Sequence, residues 1–87
     1  MATHKSALKR IRSNERKRIR NRMIRSRMRT FVKKARTLLE SGDRDAAREA
    51  TRRAIQELDK AAGKGVIHPN NAARHKSRLM KRLNALG

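Results

Sequence analysis

The chain has 87 residues, with 26 Lys and Arg against 7 Asp and Glu, a net charge of +19. That length holds one small domain at most, and so much like charge in a compact body repels itself unless a polyanion neutralises it. The absence of cysteine excludes disulfides and thiolate metal sites. No apolar run nears the roughly 20 residues of a membrane span, and the basic start lacks a signal-peptide core, so a cytosolic protein is the expectation.

From Lys5 to Ser41 there is neither Gly nor Pro, and Arg, Lys, Leu, Met and Ala dominate, all good helix formers. From Met23 onward, Ile24, Met28, Phe31, Ala35 and Leu38 recur at 4-3-4-3 spacing, and Val32 and Leu39 widen that stripe. The spacing predicts an amphipathic helix with one buried face. Between Lys5 and Met23 the apolar residues are Ala7, Leu8, Ile11 and Ile19, too few for a continuous stripe. The first helix is therefore expected to pack through its second half and to project through its first.

Ser41-Gly42-Asp43 reads as a stop and a restart. Gly42 suits a left-handed cap and Asp43 the N-cap of a second helix, whose Asp45 and Glu49 lie near the positive end of its dipole. Ala47, Ala50, Ala54, Leu58 and Ala61 share one face of that helix, with Ile55 beside them, and small residues there permit close helix approach. Gly63-Lys64-Gly65 ends it. Val66 and Ile67 form an apolar plug in the following loop, and Pro69 fits the first turn of a third helix, where Ala72, Leu79, Leu83 and Leu86 share a face with Met80 adjacent and Lys76 at its edge. The expected architecture is all-α, a three-helix antiparallel bundle with a long, projecting N-terminal helix. Met23, Met28 and Met80 read as core filler.

Charge is unevenly spread. Residues 1–36 hold 15 basic side chains against Glu15 alone, residues 37–65 balance six against six, and residues 66–87 hold five basic and no acidic ones. Leu, Ile, Val and Phe supply only 15 residues, and low apolar content with high charge marks a chain that orders on its partner. The chain is thus read as a single domain. Residues 1–22 form a basic extension expected to be disordered when free, and residues 23–87 form the bundle.

Two constellations carry the functional argument. Arg10, Arg12, Arg16, Lys17, Arg18, Arg20, Arg22, Arg25, Arg27 and Arg29 surround the first helix. A charge run is ordinarily a solvated face, but such a face mixes signs at i, i+4, and this one repeats the same sign. Distribution on all sides suits insertion between nucleic-acid helices, and the excess of Arg over Lys, 17 to 9, suits fixed bidentate contacts with phosphate. The second constellation runs from Gly65 to Leu79. Asn70 and Asn71 lie in the first turn of the third helix, where free backbone N–H groups would offer an anion site or the side chains a simple cap. Arg74 and Arg78 lie at i, i+4, with His75 and Lys76 beside them.

The chain has a single aromatic, Phe31, so it cannot stack many bases on aromatic rings and must act through charge, hydrogen bonds and shape. His4, His68 and His75 match no metal-ligand spacing, and no nucleophile signature or Gly-rich phosphate loop is present. No metal, cofactor, small-molecule substrate or catalysis is expected. A DNA-compacting protein shares the charge and the lack of aromatics. A membrane-active helix would need an apolar face along its whole length, which residues 1–22 lack.

Three segments then carry a resemblance: Lys5-Ser6-Ala7 with Lys9-Arg10-Ile11-Arg12; Met28-Arg29-Thr30-Phe31-Val32-Lys33-Lys34; and Lys64-Gly65-Val66-Ile67-His68 with Asn71-Ala72-Ala73-Arg74-His75-Lys76-Ser77-Arg78-Leu79. Together they resemble the bacterial small-subunit ribosomal proteins of the S-twenty family over essentially the whole chain. The resemblance implies a structural protein of the small ribosomal subunit, located in the cytoplasm within the ribosome. It implies direct binding of small-subunit ribosomal RNA early in assembly, with the long helix wedged among RNA helices and other ribosomal components near by. It places RNA contact on Lys5, Lys9, Arg10, Arg12, Arg16, Lys17, Arg18, Arg20, Asn21, Arg22, Arg25, Arg27, Arg29, Lys33 and Lys34. It places further contact on Lys64, His68, Asn70, Asn71, Arg74, His75, Lys76 and Arg78.

Overall fold

The structure is a computed structural model that describes the backbone of residues 2–86 and the side chains of residues 6–86. Three helices follow in order: α1 (Ala2–Ser41), α2 (Arg44–Gly63) and α3 (Pro69–Leu86), with no strand among the described residues. The breaks fall where local chemistry forces them. Gly42 takes φ +79°, a left-handed conformation that a Cβ disfavours, and the Asp43 side chain accepts from the Ala46 N–H, capping α2. At the far end Gly65 has φ +74°, and the N–H groups of Gly65 and Val66 donate to the carbonyls of Ala62 and Ala61.

Helices α1 and α2 share the largest interface, while α1 and α3 touch least. The ion pairs show the directions. Arg27 meets Glu57 across α1 and α2, Lys76 meets Asp59 across α2 and α3, and Arg82 meets Glu40 across α1 and α3. Position numbers rise together along α1 and α3 and oppositely along α2, so the bundle runs up, down, up.

The core holds Met28, Val32, Ala35 and Leu39 from α1, Ala47, Ala54, Leu58 and Ala61 from α2, Val66 from the loop, and Ala72 and Leu79 from α3. Five of these eleven are Ala. They let the backbones approach but bury little, whereas a fully buried Leu or Val contributes about 1.5–3 kcal/mol. Val66 is buried and Ile67 packs against the core, so the expected plug forms.

The core differs from the sequence reading in four respects. On α1 the buried ridge is 28-32-35-39, and Ile24, Phe31 and Leu38 are only half-buried at its flank. Met23 is 67% exposed, because it lies about 140° around the helix from Met28 at about 100° per residue. Met80 is 40% exposed on the rim of α3, so of the three methionines read as filler only Met28 is buried. Two polar side chains enter the interior instead. Thr51 is buried and its hydroxyl has no hydrogen-bond partner among the described residues, and Glu57 is buried and reaches Arg27.

Residues 6–20 are exposed at every position, and Asn21 is the first half-buried one. The molecule therefore spans 65 × 19 × 13 Å, with a radius of gyration of 17.6 Å. A compact chain of this length would have about 12 Å. The difference is the projecting first half of α1.

Candidate nucleic-acid interface

The second half of α1 and the start of α3 bring the two sequence constellations together. A groove of about 710 Å³ runs between them. Its α1 wall carries Arg25, Arg29, Lys33 and Arg36, and its opposite wall carries His68, Asn71 and His75. Met28, Val32, Val66 and Ile67 form the floor, and no acidic residue lines it. Arg36 and His75 continue into a second depression with Arg78, Lys81 and Arg82, so the cationic surface extends along the α1–α3 side. The acidic side chains of α2 are Asp45, Glu49, Glu57 and Asp59. Two of them are tied up, Glu57 by Arg27 and Asp59 by Lys76.

Along the projecting part of α1, Lys9, Arg10, Arg12, Arg16, Lys17, Arg18, Arg20 and Arg22 are all exposed, on every side of the helix. The side chain of Lys5 lies outside the described residues. The helix presents charge all round because it contacts no other helix there.

Several expected residues lie elsewhere. Arg27 donates to Glu57 at 3.2 Å and stands 5.6 Å from the Phe31 ring centre, with Lys34 on that ring at 6.0 Å. Lys64 borders a separate hollow with Arg20, Met23 and Lys60. Lys76 does not join Arg74 and Arg78, because its ammonium donates to Asp59 at 2.9 Å on the α2 side. The free N–H groups expected at the start of α3 are occupied. Pro69 has none, Asn70 donates to Nδ1 of His68 at 3.1 Å, and Asn71 and Ala72 donate to the His68 carbonyl. His68, not an asparagine, caps this helix. With Nδ1 accepting, a neutral His68 carries its proton on Nε2, where it serves as a donor.

His75 is half-buried, and its pKa is lowered from 6.5, first by burial and then by Arg36, Arg78 and Arg74. It is a neutral ring set among cations. Sequence reasoning missed Arg36, although the 25-29-33-36 spacing places it on the same helix face as the other three. The described residues contain no group of side chains suited to a metal ion, and none of the described helices is long and apolar enough to cross a membrane.

A small helical bundle with an acid-free cationic groove and a long cationic helix has the build of a polyanion-binding protein. Residues 2–84 match the family model of ribosomal protein S20. The small ribosomal subunit protein bS20 of Thermomicrobium roseum is 60% identical over 99% of this chain and 87% of its own. Those of Geobacter sulfurreducens, 55% identical over 100% of both chains, and Mycolicibacterium smegmatis, 50% identical over 99% and 100%, are similar throughout. The chain belongs to the ribosomal protein S20 family, whose members are structural components of the ribosome and not enzymes.

Proposed function

We propose that this protein binds small-subunit ribosomal RNA directly, through phosphates, and braces neighbouring RNA helices during subunit assembly in the cytoplasm. The observation that carries the reading is the charge geometry. An acid-free groove on the bundle continues into a helix that is cationic on every side. A one-sided stripe would serve a single duplex. A cationic rod neutralises phosphates on several RNA helices at once, and the bundle fixes their relative angle. The contacts fall on the exposed basic residues of α1 together with Arg36, His68, Asn71, Arg74, His75 and Arg78. In the free protein, like charges at i, i+4 along residues 1–22 oppose the helix, and phosphates reverse that cost, so this segment orders on RNA.

Competition tests the reading. The protein is bound to small-subunit ribosomal RNA at moderate salt and challenged with excess duplex DNA and transfer RNA. Survival of the complex is expected from recognition of a particular RNA shape. Equal displacement by both competitors reduces the protein to a generic polycation and favours the DNA-compacting alternative.

A further inference from the structure

We propose that the groove between α1 and the start of α3 seats one unpaired nucleobase of the RNA, an inference that rests on the RNA-binding reading above and adds a ligand to that site. Three features meet there. The first is the floor. Of the eleven buried core residues, the three most exposed are Val66 at 8%, Met28 at 7% and Val32 at 6%, and all three line this groove. The core is least covered at this point, and the flat apolar face of a base would complete the cover. A continuous duplex presents phosphates and sugars to such a groove and leaves the floor uncovered.

The second feature is the rim. Arg25, Arg29, Lys33 and Arg36 follow one another at about 4.5–6 Å along the α1 axis. A strand running beside them keeps a cation at the phosphate on each side of the seated base. The third is the pair of polar groups on the far wall. The Asn71 amide offers both donors and an acceptor to a base edge, and the half-buried His75 ring offers a stacking surface, as do the Arg planes. His75 is neutral near pH 7, which suits a ring that stacks and hydrogen-bonds. One seated base needs no array of aromatic side chains, and the groove, about 710 Å³, is of the size that holds small organic ligands.

The test uses the full chain and three RNA hairpins with one stem sequence: an uninterrupted duplex, the same stem with a single bulged adenosine, and the same stem with an abasic bulge. Dissociation constants are measured by fluorescence anisotropy at matched salt. The adenosine bulge is expected to bind ~5- to 150-fold tighter than the other two, the range for one stacked base. Asn71→Ala, at an exposed position, and His75→Ala, at a half-buried one whose fold is checked by circular dichroism, should bring that ratio toward one, whereas Arg12→Gln on the projecting helix should weaken all three complexes and leave the ratio standing. An abasic bulge bound as tightly as adenosine, or a ratio that survives both groove variants, overturns the base seat. Equal, salt-sensitive binding of all three hairpins removes the seat and leaves the phosphate brace intact. Absence of binding to any of them overturns both.

Discussion

His75 sits between Arg36 of α1 and Arg74 and Arg78 of its own helix, and burial together with those cations holds its pKa below 6.5. The folded protein therefore takes up this proton less readily than the unfolded chain. As pH falls below about 6.5, the unfolded state gains a proton first, and the free protein loses stability until the folded-state pKa is passed. Thermal unfolding at pH 7.5 and 5.5 should show a lower midpoint at 5.5, a drop reduced in His75→Gln. A midpoint as sensitive to pH in the variant as in the wild type would remove His75 from the account. At this scale the sequence was readable where residue type matched role and misleading where it did not. Of the basic residues of the groove, Arg25, Arg29 and Lys33 were found and Arg36 was not. Glu57 and Thr51 were not placed in the interior, because neither side-chain chemistry nor apolar periodicity distinguishes a polar residue facing α1 or α3 from one facing water. Lys76 shared a basic cluster in sequence, but its helical position turns it toward Asp59.

Among the described residues each helix pair is joined by one ion pair, and the three differ in weight. Lys76–Asp59 and Arg82–Glu40 are open to solvent on both sides, so each contributes little. Glu57 differs, because its side chain is 11% exposed and Arg27 is its partner. Arg27→Ala leaves that carboxylate largely buried and unpaired, and the bundle should lose about 1–2 kcal/mol, less than for a fully buried pair because Arg27 itself is 63% exposed. Removing a cation from a +19 chain would otherwise relieve repulsion, so a fall in melting temperature carries the opposite sign to the bulk electrostatic effect. Arg53→Ala, on the exposed side of α2, is the control and should leave the midpoint within about 0.5 kcal/mol of wild type. Adding Glu57→Gln to Arg27→Ala should recover part of the loss, since a neutral amide costs less to bury; no recovery would assign the effect to lost packing of Arg27 on Phe31. The helix boundaries were legible at this scale because Gly42, Asp43 and Pro69 act locally. Which of two adjacent apolar ridges on α1 leads the packing was not. Ile24, Phe31 and Leu38 are as apolar as Val32 and Leu39, and the choice is made by where α2 and α3 arrive.

The whole molecule divides charge from packing. Residues 1–22 carry nine basic side chains and Glu15, a net +8 of the +19, yet residues 6–20 cover no core residue. Their removal should leave a +11 bundle that still unfolds cooperatively at an unchanged temperature, or a slightly higher one. RNA binding should respond in the opposite direction. For the full chain, roughly 6–10 phosphate contacts give a slope of log K against log salt of about −4 to −9, and the slope falls in proportion to the contacts deleted. The shortened chain should therefore bind more weakly and with a flatter salt response, keeping only what the groove supplies. Circular dichroism adds a second view of the same division. The full chain should gain helix on adding RNA, and the shortened chain should gain almost none. If the shortened chain kept both affinity and slope, the contacts would belong to the groove and the Arg78 side of the bundle, and the long helix would be a spacer. If slope fell but affinity did not, the groove would hold its RNA by shape, with the projecting helix supplying only the long-range attraction that brings the two together.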